Sequence, residues 1–225
     1  MRALFVSPHL DDVAFSCGGT LAALARDGWH CTLLTCFTAS VADPRGFALA
    51  CQTDKGIAPE VDYMALRRRE DELAAQRLGA VEVVHLPLPE APHRGYASAP
   101  ELFGPVRDDV WRELAPLLPR GHDRVFLPQG KGGHVDHVQV IRAAEAAGLR
   151  GSHYADLPYD LDGTDGHPGP VTPDLAAKAD ACAAYASQLG FQFGGEDRKR
   201  ARLGAAPERF PPSAAIPAGM VNAPS

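Results

Sequence analysis

Short apolar runs alternating with helical stretches constrain the fold of this chain more than any other feature. Ala3-Leu4-Phe5-Val6 marks a strand over 2–7, and residues 31–37, 81–86, 123–127 and 153–156 read as four more. Between them lie a helix opened by Gly18-Gly19-Thr20 and stopped by Gly28, another over 65–78 ended by Gly79, and an Ala-rich helix over 138–149. Such alternation predicts an α/β fold with a mostly parallel sheet and right-handed crossovers. A further helix is expected within 101–118, from Val110, Trp111, Leu114 and Leu117, and one more over 175–189. Residues 41–62 and 88–100 carry no clear period and read as loops, the first a long functional loop or lid, the second rimming the same sheet edge; 160–173 reads as loop as well. With 225 residues, 45% of them hydrophobic, the chain fills a single domain over 1–210, followed by a Pro/Ala-rich tail over 211–225 expected to be extended or poorly ordered.

Charge excludes one class of partner. A formal net charge of -6, with Arg67-Arg68-Arg69 the one dense basic run, offers no surface for nucleic acid. No run of 18 apolar residues suggests a membrane span, and the first residues enter a strand directly, so the expected location is the cytoplasm. The five cysteines contain no C-x-x-C pair and are odd in number, which predicts reduced thiols; Cys31 and Cys36 read as small buried hydrophobes, and Cys17, close after the aspartates, as part of a pocket wall.

Two segments carry the chemistry. His9, Asp11 and Asp12 follow the first strand, and His134, Asp136 and His137 follow the fourth, at the edge where open α/β sheets bind ligands. A catalytic zinc takes three protein ligands and leaves one position for water. His9, Asp12 and His137 would supply that set, and a cation so held lowers the pKa of water to about 7. Asp11 is then placed as general base, and His134 to stabilise an oxyanion and pass a proton to a leaving amine. Asp136 could hold the tautomer of His134 or stand behind His137. Either segment alone is weak, since paired aspartates also serve as helix caps and first-turn charges; together they point to hydrolysis. His30, His85, His93, His122, His153 and His167 read as solvated or core-satisfied side chains.

At these residues the chain resembles the LmbE-like, or PIG-L, family of metal-dependent N-deacetylases. The resemblance lies in His9-Leu10-Asp11-Asp12 followed by Gly18-Gly19-Thr20-Leu21, and in His134-Val135-Asp136-His137. It extends more weakly to Arg67-x-x-Glu70 leading through Ala74 to Leu78-Gly79, and to Lys178 with Tyr185-Ala186-Ser187-Gln188, covering about residues 2–210. It implies a Rossmann-like fold, a divalent cation (zinc, with iron, cobalt or manganese as substitutes) on His9, Asp12 and His137, Asp11 as base, His134 as acid or oxyanion stabiliser and Asp136 as its orienter. It also implies an N-acetylated amino sugar or glycoconjugate as substrate, a contact from Arg67, and leaves a homo-oligomer open. Leu10 stands where the family usually has proline and Val13 where many members have glutamate; the latter bears on substrate more than on chemistry.

Two other readings compete. Gly18-Gly19 at a helix start could cradle a phosphate in a nucleotide-binding module, although Gly-x-Gly-x-x-Gly is missing and two aspartates precede it. A non-catalytic sugar- or metal-binding protein would have no need of Asp11 and His134.

Overall fold

The computed structural model describes residues 1–79, 82–161, 163–193 and 206–212, arranged around one sheet of five parallel strands. In chain order these are β1 (Arg2–Ser7), β2 (His30–Thr35), β3 (Glu82–His85), β4 (Arg124–Pro128) and β5 (Ser152–Tyr154), and across the sheet they stand β3-β2-β1-β4-β5. The chain builds outward from β1 on one side, then returns to lay β4 against the other edge of β1, with Phe5 level with Phe126. This reversal opens a crevice at the carboxyl ends of β1 and β4. β1 is apolar on both faces because both are covered: Ala3 and Phe5 pack with Leu21 and Cys182, Leu4 and Val6 with Leu114 and Val140.

Helices cover the two faces, and several depart from the expected pattern. α1 (Asp12–Arg26) begins at Asp12 rather than Gly18 and is kinked at Cys17 (φ −142°). Gly18-Gly19-Thr20 opens only the part beyond the kink; the short stretch before it has too few residues to show a period, and Ser7 Oγ anchors it by accepting from the Val13 N–H at 3.2 Å. α2 (Gly46–Thr53) lies inside the expected loop over 41–62, burying only Ala48 and Gln52, too little for a legible stripe. α3 (Tyr63–Arg77) matches its expected place, capped by Asp62 accepting from the Ala65 N–H at 2.9 Å.

The helix expected within 101–118 is instead two single turns, α4 (Ala99–Leu102) and α5 (Trp111–Leu114), followed by a 3-10 turn over Ala115–Leu117. Gly104-Pro105 and Pro116 explain the interruptions. α6 (Val135–Ala146) starts before residue 138 because the His134 side chain caps it, accepting from the Asp136 N–H. The single helix expected over 175–189 divides into α7 (Leu175–Cys182) and α8 (Ala186–Phe193). The division follows from α3, whose Glu70 accepts the Ser187 N–H at 2.8 Å and so starts a new helix there. β5 ends before Ala155 and Asp156, whereas Val81 and most of the 211–225 tail fall outside the described residues. Among the described residues no helix is long and apolar enough to cross a membrane, and the five cysteines are free thiols.

Candidate metal centre

His9 stands on the turn leaving β1, Asp12 begins α1, and His137 lies in the first turn of α6, so the β1/β4 crevice brings all three together. Asp12 Oδ2 is 3.3 Å from His9 Nδ1 and 3.4 Å from His137 Nε2. Ligands about 2.0–2.1 Å from a tetrahedral zinc stand about 3.3–3.4 Å apart, so these contacts have the length of two edges of such a polyhedron. His137 Nε2 is buried and has no hydrogen-bond partner. An orphaned buried acceptor is costly, and a cation shared with Asp12 removes the cost.

Carboxylates fix both imidazoles from behind. His137 Nδ1–H donates to Asp156 Oδ1 at 3.0 Å, which leaves Nε2 with its lone pair toward Asp12. His9 Nε2–H donates to Asp136 Oδ2 at 2.9 Å, turning Nδ1 toward Asp12. Asp136 is fully buried, also accepting from the Ala91 N–H at 3.0 Å and Arg94 Nη2 at 2.6 Å. Its carboxylate thus serves His9, not His134 or His137; only its main-chain N–H reaches His134, donating to Nδ1 at 3.2 Å.

The charge balance favours a cation. Burial alone would raise the Asp12 carboxyl, yet His137 and His9 drive it far below the usual carboxylate range. Burial likewise opposes an imidazolium at His137, but Asp12 and Asp156 on either side push it up to about 9, and Asp12 and Asp136 raise His9 in the same way. A site that pulls protons onto its imidazoles carries excess negative charge, which a divalent ion neutralises. A second nitrogen set exists, since His9, His134 and His137 offer ring nitrogens within 4.8 Å of one another. The Asp12 contacts and the orphaned His137 Nε2 favour His9, Asp12 and His137.

Asp11 and His134 flank this set and line one cavity of about 320 Å3 with it. Burial, and then the charge of Asp12, lift the Asp11 carboxyl to about 7 against the opposing pull of Arg67, whose Nη2 is 4.0 Å away. Burial and the neighbouring His9 push His134 down to about 3, so its ring is neutral; with Nδ1 accepting, the proton is on Nε2. The three arginines separate cleanly. Arg67 is buried in the cavity wall and paired with Glu90, Arg68 ties down the Thr38 carbonyl at 2.5 Å, and Arg69 is exposed.

Sequence reasoning missed Asp156, Arg94, Glu90 and Tyr159. Asp156 had a signal, since it ends a strand-like run at the same sheet edge, but the other three lie in irregular segments with no period to place them. The expected phosphate cradle is filled from within the chain. The Glu208 carboxylate takes the N–H groups of Gly19 and Thr20 and the Thr20 hydroxyl at 2.7, 2.8 and 2.6 Å, with Lys178 Nζ 3.4 Å away. An anion is already held there, which disfavours a nucleotide at that helix start.

The family model described as PIG-L: GlcNAc-PI de-N-acetylase matches residues 4–148, which include both motifs and the whole proposed donor set. The chain belongs to the PIG-L family. It is 42% identical over 169 residues to a 2'-N-acetylparomamine deacetylase of Streptomyces fradiae, the match covering 70% of this chain and 57% of that protein. The chain therefore spans less than two thirds of that PIG-L relative's length. Among solved structures it superposes on the A40926 pseudoaglycone deacetylase Dbv21 with a TM-score of 0.74 at 26% identity, covering 96% of this chain and 99% of that one. It superposes equally, with a TM-score of 0.74 at 25% identity and 90% coverage of both chains, on the zinc-inhibited form of teicoplanin deacetylase Orf2. The PIG-L fold, a parallel sheet flanked by helices, is thus shared along nearly the whole chain.

Proposed function

We propose that this PIG-L chain is a zinc-dependent hydrolase that removes an acetyl group from the nitrogen of an N-acetylated amino sugar or sugar conjugate, with residues 1–210 forming one deacetylase domain. The observation that carries the reading is the orphaned His137 Nε2, 3.4 Å from an Asp12 carboxylate that His9 also faces, in one cavity with Asp11 and His134. The names of the relatives support the substrate class, each being a deacetylase, one acting on an acetylated aminoglycoside and two on glycopeptide antibiotics or their aglycones. Free thiols at all five cysteines fit a cytoplasmic enzyme.

A divalent cation on His9, Asp12 and His137 would supply electrophilic polarisation of the amide carbonyl and acidify water. Asp11 takes the proton of the attacking water and returns it to the amide nitrogen as the C–N bond breaks. His134, neutral and protonated on Nε2, donates to the carbonyl oxygen. Asp156 and Asp136 hold His137 and His9 in the tautomers that turn lone pairs inward. Arg67, fixed by Glu90, presents a guanidinium to substrate oxygens in the same cavity.

The test is acetate release from 2'-N-acetylparomamine by protein stripped with a chelator and reloaded with zinc, cobalt, manganese or iron(II). Activity is expected with more than one ion, because site geometry and metal supply rather than affinity alone decide occupancy. Equal acetate release by stripped and reloaded protein would refute metal dependence, and no release from any acetamido sugar would refute the substrate class.

A further inference from the structure

Tyr159 belongs to no motif in the sequence, yet it faces the reaction. We propose that Tyr159 is a further catalytic residue, its phenolic O–H donating to the amide carbonyl oxygen, beside His134, as negative charge gathers there; this builds on the hydrolytic reading above. Tyr159 lines the cavity shared by Asp11, Asp12 and His134. Its ring stands over His134 at an interplanar angle of 29° with centroids 6.3 Å apart, and meets His137 edge-on at 5.5 Å and Phe103 at 5.6 Å. Among the described residues its hydroxyl has no hydrogen-bond partner. A tyrosine that buries its hydroxyl normally gives it a partner, so a phenol left open to a cavity is available to what enters.

The surroundings hold this residue in place on both sides. The Leu157 N–H donates to Ser16 Oγ at 3.0 Å, and the Asp160 N–H to the Asp156 carbonyl at 2.9 Å. The buried Asp160 carboxylate takes Arg209 on Oδ2 at 2.9 Å and Lys131 on Oδ1 at 2.5 Å. Gly132, at φ +90°, leaves the ring its space: a Cβ there would stand 3.0 Å from Tyr159 Cβ and 3.2 Å from Cγ. A free donor on a segment pinned by buried ion pairs is preorganised, and preorganised donors stabilise developing charge without reorganisation at the moment of reaction.

The step balances as simple hydrolysis. The water oxygen bonds to the carbonyl carbon while its proton passes to Asp11, and the C=O π pair moves onto oxygen, where His134 and Tyr159 donate. The pair then re-forms C=O as the C–N bond breaks, and nitrogen takes the proton from Asp11. Tyr159 keeps its own proton throughout.

The test compares wild type with Tyr159→Phe in the zinc-loaded full chain; phenylalanine keeps every ring contact and removes only the hydroxyl. The expected result is a kcat on 2'-N-acetylparomamine lowered roughly 10²-fold with KM changed less than about twofold, the signature of a lost oxyanion donor. Calorimetric affinity for methylphosphonate, a tetrahedral mimic of the adduct, should fall about tenfold or more, more than affinity for planar acetate. Unchanged kcat with unchanged methylphosphonate affinity overturns the proposal, as does a rise in KM alone. A wild type that releases no acetate, while Tyr159→Phe still weakens methylphosphonate, would sink the deacetylase reading and leave the donor role standing.

Discussion

His137 has to give up a proton before its Nε2 can hold a cation. Burial disfavours the imidazolium, but Asp12 and Asp156 lift it to about 9, above the usual histidine value, so protons and metal compete for the same nitrogen. Lower pH keeps the proton on and weakens metal binding; the apparent affinity is therefore expected to rise from pH 6.5 to about 9, read by competition with a chromogenic chelator. A pH-independent affinity would mean that His137 is not a ligand. His137→Ala should cut metal occupancy, whereas Asp11→Asn should keep full occupancy by elemental analysis while kcat falls roughly 10²-fold, the scale of a lost general base. Retained turnover in the Asp11 variant would reassign the base. At this scale the six motif residues were legible in the sequence because their type and spacing carry ligand chemistry. Their hydrogen-bond partners were not: that Asp136 serves His9, 127 positions away, depends on tertiary geometry that no local spacing encodes.

Helices were legible here where a buried stripe is long enough to repeat. α3 runs for 15 residues with an aspartate cap, and its expected position holds; Asp62→Ala should cost about 1 kcal/mol, seen as a lower denaturation midpoint with an unchanged slope. A variant with wild-type stability would show the cap to be redundant. Illegible were the elements whose ends are made by distant side chains. α8 begins where Glu70 meets Ser187, and α1 resumes after Cys17 where Glu208 meets Gly19 and Thr20. Glu208→Ala would leave those N–H groups unpaired and the fully buried Lys178 without its carboxylate, an expected loss of roughly 3 kcal/mol or more in denaturant unfolding. A loss below about 1 kcal/mol would show that water satisfies the gap.

Across the whole molecule, the strand order decides where chemistry gathers. Reversal at β1/β4 makes two segments separated by more than a hundred positions neighbours, and the parallel sheet was readable from its apolar runs while the order of its strands was not. The metal centre joins those halves, so stripping the cation should destabilise the entire fold; at metal held near 100 times its Kd the bound ion contributes about 2.7 kcal/mol. Calorimetry of stripped and reloaded protein should show that difference as a lower Tm, and identical melting curves would detach the site from the fold's stability. The carboxylate that completes α1 arrives from residue 208, nearly the full chain away from the helix it finishes. On the ribosome the first helix to emerge therefore waits for almost the last stretch to be made. A nascent chain stalled short of that stretch would carry both aspartates on an unfinished helix, and would acquire its ion only after release.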